Sequence, residues 1–137
     1  MQLHNTSQYA VRILSYITNQ KNETLLSAKD LSEKLSIPYK FLTKIMGELV
    51  RTGLIKSIRG REGGYELNKA ASKITISDIL DIFNDSLNEE RCILGIGYCD
   101  CSNKCVLHDQ WIEPKNLIQK MFKETTLDNL TNEEGKI

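Results

Sequence analysis

The chain has 137 residues, 40% hydrophobic and 26% charged, which suits one ordinary globular domain and excludes a disordered, collagen-like or low-complexity chain. Its apolar runs are only a few residues long, too short to span a membrane. The opening MQLHNTSQYAVRIL has no basic stretch followed by an apolar one, so no signal peptide is read and a cytoplasmic protein is expected. The formal net charge of zero hides an asymmetry: residues 1–69 hold 11 Lys/Arg against 6 Asp/Glu, and residues 70–137 hold 7 against 12. The first half can face a polyanion and the second cannot.

Residues 5–19 read as a helix capped by Asn5 or Thr6, with Ala10, Ile13, Leu14 and Ile17 as its apolar stripe. Asn19–Thr24 is a polar loop. Ser27 caps a short second helix, with Asp30 completing a capping box and Ala28, Leu31 and Leu35 facing inward. Ser36-Ile37 makes a tight turn, and Pro38 suits the first position of a third helix over 38–52. There Phe41, Leu42, Ile45, Met46, Leu49 and Val50 recur at the spacing of a buried face. Lys40, Thr43, Lys44, Gly47, Glu48 and Arg51 form the opposite stripe, and Gly53 is the stop.

A hairpin follows, with strands Leu54–Ile58 and Tyr65–Leu67. Its turn, Arg59 to Gly64, holds three glycines free to take positive φ. Thr75 opens a fourth helix with Asp78 in the capping-box position and Ile76, Ile79, Leu80 and Phe83 inward. Residues 84–105 show no period. A last long helix runs from about 106 to 124 with Trp111, Leu117, Ile118, Met121 and Phe122 as apolar positions, and Pro114 must kink it or mark its start. The tail Thr125–Ile137 is polar and expected to fray.

Helix, short helix, tight turn, amphipathic helix and glycine-tipped hairpin, in that order, make a winged helix-turn-helix. The fold class is mostly α with a small β-hairpin wing, plus a long C-terminal helix. A helix in the major groove needs an apolar back and a cationic, hydrogen-bonding front, which Tyr39, Lys40, Thr43 and Lys44 supply. Thr43 is the candidate base reader. Arg59 and Arg61 on the hairpin tip can enter a narrow minor groove. Lys56, Ser57 and Gly60 can reach phosphates, and Ser27 joins the DNA-contact set at the start of its helix. Small winged folds also serve as protein-interaction modules, but the basic helix and two outward arginines favour DNA.

The four cysteines form a second constellation, Cys92-x6-Cys99-x-Cys101-x3-Cys105-x2-His108. A disulfide scaffold would spread its cysteines along the chain. A local cluster in a reducing compartment points to metal or redox chemistry. Thiolate sulfur and imidazole nitrogen bind iron–sulfur clusters or zinc, and three Cys with one His is a valid tetrahedral zinc set. His108 lies one helical turn beyond Cys105, so both can face one way. Paired carboxylates beside a histidine, a nucleophile motif and a P-loop are all lacking, so no enzyme is expected.

From Met1–Arg12 to about residue 130 the chain resembles the iron–sulfur-sensing transcription regulators of the IscR/NsrR type, relatives of the cysteine regulator CymR. The wing Ser57–Leu67 and Arg91-Cys92, Cys99-x5-Cys105-x2-His108 and Trp111 carry the resemblance. It implies a cytoplasmic homodimer that binds a pseudo-palindromic double-stranded DNA operator. A cluster between head and dimer helix would switch DNA affinity in response to iron or cluster status, redox state or nitric oxide. Implied segments are a DNA-binding head over 1–73, a linking helix and cysteine loop over 74–105, a dimerisation helix over 106–130 and a flexible tail over 131–137. Implied ligands are Cys92, Cys99, Cys105 and His108, with Cys101 as the alternative. The chain departs from the pattern in an x6 first gap where x5 is usual, in the extra thiol of Cys101, and in Gln8, where some relatives place an acidic ligand from the partner subunit. Three Cys and one His fit [2Fe–2S], and four-cysteine ligation would leave [4Fe–4S] open. The alternatives are a structural zinc site and a CymR-like regulator controlled by a protein partner.

Overall fold

The computed structural model describes residues 2–20, 25–85 and 91–131. What was expected of residues 21–24 in the first loop, 86–90 before the cysteines and 132–137 in the tail lies outside the described residues.

The first helix, α1 (Asn5–Asn19), buries Ala10, Ile13 and Leu14 at the centre of the core. It starts one residue earlier than the expected caps, with His4 as N-cap and no side-chain cap bond. Helix α2 (Ala28–Leu35) begins with the full capping box. The Asp30 amide donates to the Ser27 hydroxyl and the Ser27 amide to the Asp30 carboxylate. It ends on Ser36 in the left-handed region at φ 53°. Ser32 then clamps the turn: its carbonyl accepts from the Ile37 amide at 3.1 Å and its hydroxyl donates to the Ile37 carbonyl at 2.6 Å.

Helix α3 (Tyr39–Arg51) has Pro38 as N-cap rather than first helical residue. It buries Leu42, Ile45, Met46 and Leu49. Phe41 and Val50, expected on that face, are exposed, Phe41 by 55%. At 100° per residue both lie at the edges of the arc centred on the four buried side chains, where the core no longer reaches. The stop works as expected. Gly53 sits at φ 80°, its amide donates to the Val50 carbonyl, and the Leu54 amide reaches back to the Leu49 carbonyl while both leucines pack inside.

Strands β1 (Ile55–Ile58) and β2 (Gly64–Leu67) pair antiparallel, Ile55 opposite Leu67 and Ile58 opposite Gly64. The glycines of the turn divide their work. Gly60 alone of the three takes a positive φ, at 125°. Gly63 and Gly64 are required by close approach: a Cβ on Gly63 would lie 2.1 Å from the Ile58 carbonyl oxygen, and one on Gly64 2.5 Å from that of Leu26. The Tyr65 amide donates to Leu26 at 3.0 Å, so the wing is stitched to the segment before α2.

After a 3-10 turn at Ala71–Lys73, Thr75 and Asp78 form a second capping box at the start of α4 (Ile76–Ile82). Helix α5 (His108–Glu124) packs against α4 and contains Pro114 in its interior, so the proline does not mark its start. Residues 125–131 do not fray. The Ile76 amide donates to the Thr125 carbonyl and the Leu127 amide to that of Ile74, and α6 (Leu127–Thr131) places Leu127 fully inside the core against α1. The long helix stops at Glu124, where the sequence pattern ends it. Among the described residues no helix is long and apolar enough to cross a membrane.

Candidate nucleic-acid interface and metal centre

The winged helix-turn-helix puts the expected DNA-facing residues on one exposed set of elements. Tyr39, Lys40 and Lys44 stand exposed in the first half of α3, and Thr43 is half-buried beside them with its hydroxyl donating to the Lys40 carbonyl at 3.1 Å. Ser57, Arg59, Gly60 and Arg61 are exposed on the wing, and among the described residues the two arginines make no ion pair. An unpaired guanidinium keeps all its donors for a phosphate or a base edge. Two of the expected contacts are already engaged. The Lys56 ammonium pairs across the hairpin with Glu66 at 2.8 Å, and the Ser27 hydroxyl is held by Asp30 at 2.8 Å. The exposed Phe41 is an addition to this face. No periodicity argument could have found it, because its apolar character is the same signal that marks a core position.

The cysteine segment is built from short backbone turns. Arg91 and Tyr98 form an isolated antiparallel bridge, and the Cys92 amide donates to Gly97 and the Gly95 amide back to Cys92. Gly95 and Gly97 take positive φ, 72° and 65°, which curls the x6 gap around the buried Cys92 side chain. The Leu94 amide foremost, then the Ile96 amide, the Cys105 thiol and the Gly95 amide, outweigh burial and hold the Cys92 thiol below its ordinary pKa. Amides aimed at sulfur stabilise thiolate, the form that binds metal. The extra residue of the first gap is thus absorbed in a turn that furnishes donors.

The far side of the site is the start of α5. His108 is its first residue, only 4% exposed, and its amide donates to the Cys105 carbonyl at 3.1 Å, which fixes these two donors one turn apart. The imidazole sits between two thiols: Cys99 Sγ is 3.4 Å from Nδ1 and Cys101 Sγ is 3.8 Å from Nε2. Lys104 pairs with Asp109 in the first turn of α5 at 2.8 Å, tying the loop to the helix. That carboxylate raises the Lys104 pKa and is itself held low by the ammonium. Asp100 accepts from both the amide and the hydroxyl of Ser102, which lowers its pKa and shapes the bend that carries Cys99 and Cys101.

Cys92, Cys99, Cys105 and His108 all line one cavity of about 460 Å³, together with Tyr98 and Lys104, whereas Cys101 is exposed outside it. Among the described residues no three His, Cys, Asp or Glu side chains close on a single ion. The donor set is nonetheless that of an iron–sulfur or zinc site, three sulfurs and one imidazole nitrogen. Gln8, on α1, spends its side-chain amide on the Leu3 carbonyl at 2.6 Å.

Residues 3–133 match the Rrf2 family, described as iron-dependent transcriptional regulators. The chain belongs to that family. It is 37% identical over 134 residues to a helix-turn-helix-type transcriptional regulator of Aquifex aeolicus, covering 96% of this chain and 92% of that protein. It is 28% identical to the transcriptional regulator IscR of Escherichia coli, covering 98% and 82%. Among solved structures it is similar to CymR, the global cysteine regulator of B. subtilis, with TM-score 0.79 at 21% identity over 96% of each chain. It is also similar to T. potens IscR, with TM-score 0.75 at 22% identity over 95% and 85%. The protein is an Rrf2-family, IscR-like transcriptional regulator, and its named relatives are regulators rather than enzymes.

Proposed function

We propose that this regulator is a DNA-binding homodimer whose affinity for its operator is switched by an iron–sulfur cluster held by Cys92, Cys99, Cys105 and His108. The observation that carries the reading is the shared cavity: three thiols and a buried imidazole line it, at the junction of the cysteine segment with α5. Three sulfurs and one nitrogen suit a [2Fe–2S] centre, and such a group supplies a redox-active site that reacts with oxidants and nitric oxide and depends on iron supply.

The chain's own residues give the coupling. Cys92 lies between α4 and α5 in sequence, Cys105 lies just before α5 and His108 is its first residue, so ligation would tie the segment that joins the two helices to the start of α5. The apolar side chains of that loop are largely outside the core, and Val106 is 95% exposed. Without a bound group the loop has little burial to hold it, and the angle between the two heads is free to change. On α5 the side chains of Leu117 and Met121, 62% and 52% exposed and one turn apart, form the face for the second copy. Two heads related by a dyad read half-sites one helical turn apart, ~34 Å. Tyr39, Lys40, Thr43 and Lys44 face the major groove, Arg59 and Arg61 the minor groove, and Ser57 and Gly60 the backbone, with Ser27 and Lys56 at the edge.

The test is protein purified without oxygen, analysed for iron, sulfide and zinc, and titrated with operator DNA before and after cluster removal. Equal iron and sulfide with visible charge-transfer absorption, and a change in DNA affinity on removal, are expected. A colourless protein with one zinc per chain makes the loop a structural site. A metal-free protein that fails reconstitution leaves a regulator of the CymR-like kind, answering to a protein partner.

A further inference from the structure

The fourth thiol is exposed, lies outside the cavity, and is an addition to the pattern this chain resembles, yet it touches the imidazole. His108 is held with its two nitrogens toward two different thiols, and the two thiols are not equivalent. Cys99 lines the cavity with Cys92 and Cys105, and Cys101 does not. The nitrogen facing Cys99 is therefore the one aimed at the donor set.

We infer that His108 ligates through Nδ1, on the metal it shares with Cys99, and that Cys101 is a positioning residue that accepts the Nε2–H hydrogen bond. The inference rests on the cluster reading above. Two donors on one tetrahedral metal, with sulfur and nitrogen at their usual bond lengths, lie about 3.5 Å apart. Cys99 Sγ and His108 Nδ1 already stand at 3.4 Å. A neutral imidazole that gives Nδ1 to a metal carries its proton on Nε2. His108 is 4% exposed, and a buried N–H without a partner is costly. Cys101 Sγ, at 3.8 Å, is the partner the structure provides. Metal-bound histidines donate their second ring N–H in this way as a rule, and the acceptor sets ring orientation and ligand basicity. Here the acceptor is a thiol open to solvent, so a change at Cys101 reaches the metal through one hydrogen bond.

The experiment compares anaerobically reconstituted wild-type protein with C101A, C101S and H108A by iron and sulfide content, midpoint potential and the EPR spectrum of the reduced centre. C101A and C101S are expected to hold wild-type iron and sulfide. The potential and g-values of C101A are expected to shift, and C101S, whose hydroxyl still accepts, to return toward wild type. H108A is expected to lose iron or to take a distinct spectrum. Loss of iron from C101A overturns the inference by making Cys101 a ligand. A C101A potential and spectrum identical to wild type overturn it by removing the coupling, and an H108A spectrum identical to wild type removes the ligand itself. If wild type takes up no iron, the cluster reading has failed and this one falls with it, an outcome the wild-type control separates from the others.

Discussion

Helix α3 and the cysteine segment are of similar length and are held by opposite means. In α3 four apolar side chains are entirely inside, and the helix ends in a stop at which both Leu49 and Leu54 are buried. In the cysteine segment Ile93, Leu94, Ile96, Tyr98 and Val106 all stand exposed, and order comes from local backbone bonds such as Cys92 to Gly97 and from the Lys104–Asp109 pair. Burial decides the first region. The second lacks a core of its own and is arranged around its donor atoms. A segment held by local bonds rather than by burial opens at a lower free energy than a packed helix.

The largest test of the contrast removes a donor from each wall of the cavity. Cys92→Ala or Cys105→Ala should abolish iron retention after reconstitution while leaving the helical circular dichroism of the metal-free protein unchanged. A variant that keeps wild-type iron would remove that cysteine from the ligand set. Next in size is a pair of truncations. Leu42→Ala should cost about 2–5 kcal/mol in denaturant unfolding, because it empties a filled site. Val106→Ala should change metal-free stability by no more than about 0.5 kcal/mol, since the side chain is already in water. Equal effects at the two positions would mean that the loop has a core after all.

A third test belongs to the wing. Arg59→Ala should weaken operator binding by about 1–3 kcal/mol and flatten its salt dependence. The Lys56→Ala change should do much less, because its ammonium is shared with Glu66. Unchanged affinity in Arg59→Ala, measured by gel shift at two salt concentrations, would take the wing tip out of the interface.

The head was legible in the sequence because local chemistry and long-range packing agree there. Ser27 with Asp30, Thr75 with Asp78 and Gly53 after α3 each specify a helix end on their own. Legibility ended where a side chain's fate depends on distant partners. Phe41 and Val50 have the right residue type for burial but lie just off the axis of the core. Leu127 sits in a polar stretch and is buried only because Thr125 and Thr126 pair with the segment before α4. The glycines at 63 and 64 look like flexible turn residues, and their real constraint is the approach of the Ile58 and Leu26 carbonyls. In the site, the spacing of the cysteines picked out residues of which Cys92, Cys99 and Cys105 line one cavity with His108. The contact of Cys101 with the far side of the His108 ring needed the fold of the Asp100–Ser102 bend to become visible.

The smallest effect separates the electrostatics of the head from those of the loop. Asp30 is fully exposed, and its pKa lies below the ordinary 3.8 chiefly because the Ser27 hydroxyl and amide donate to its carboxylate. A carboxyl with a lowered folded pKa contributes stability that is present above its unfolded pKa and is lost as the pH falls through the folded one. Asp30→Asn keeps a side chain that can accept from Ser27 but removes the charge at the N-terminus of α2. Its melting temperature should therefore lie slightly below wild type at pH 6, and the gap should be smaller at pH 3, where the wild-type carboxyl takes up more of its proton. A gap of the same size at both pH values would show that the cap acts through shape rather than charge.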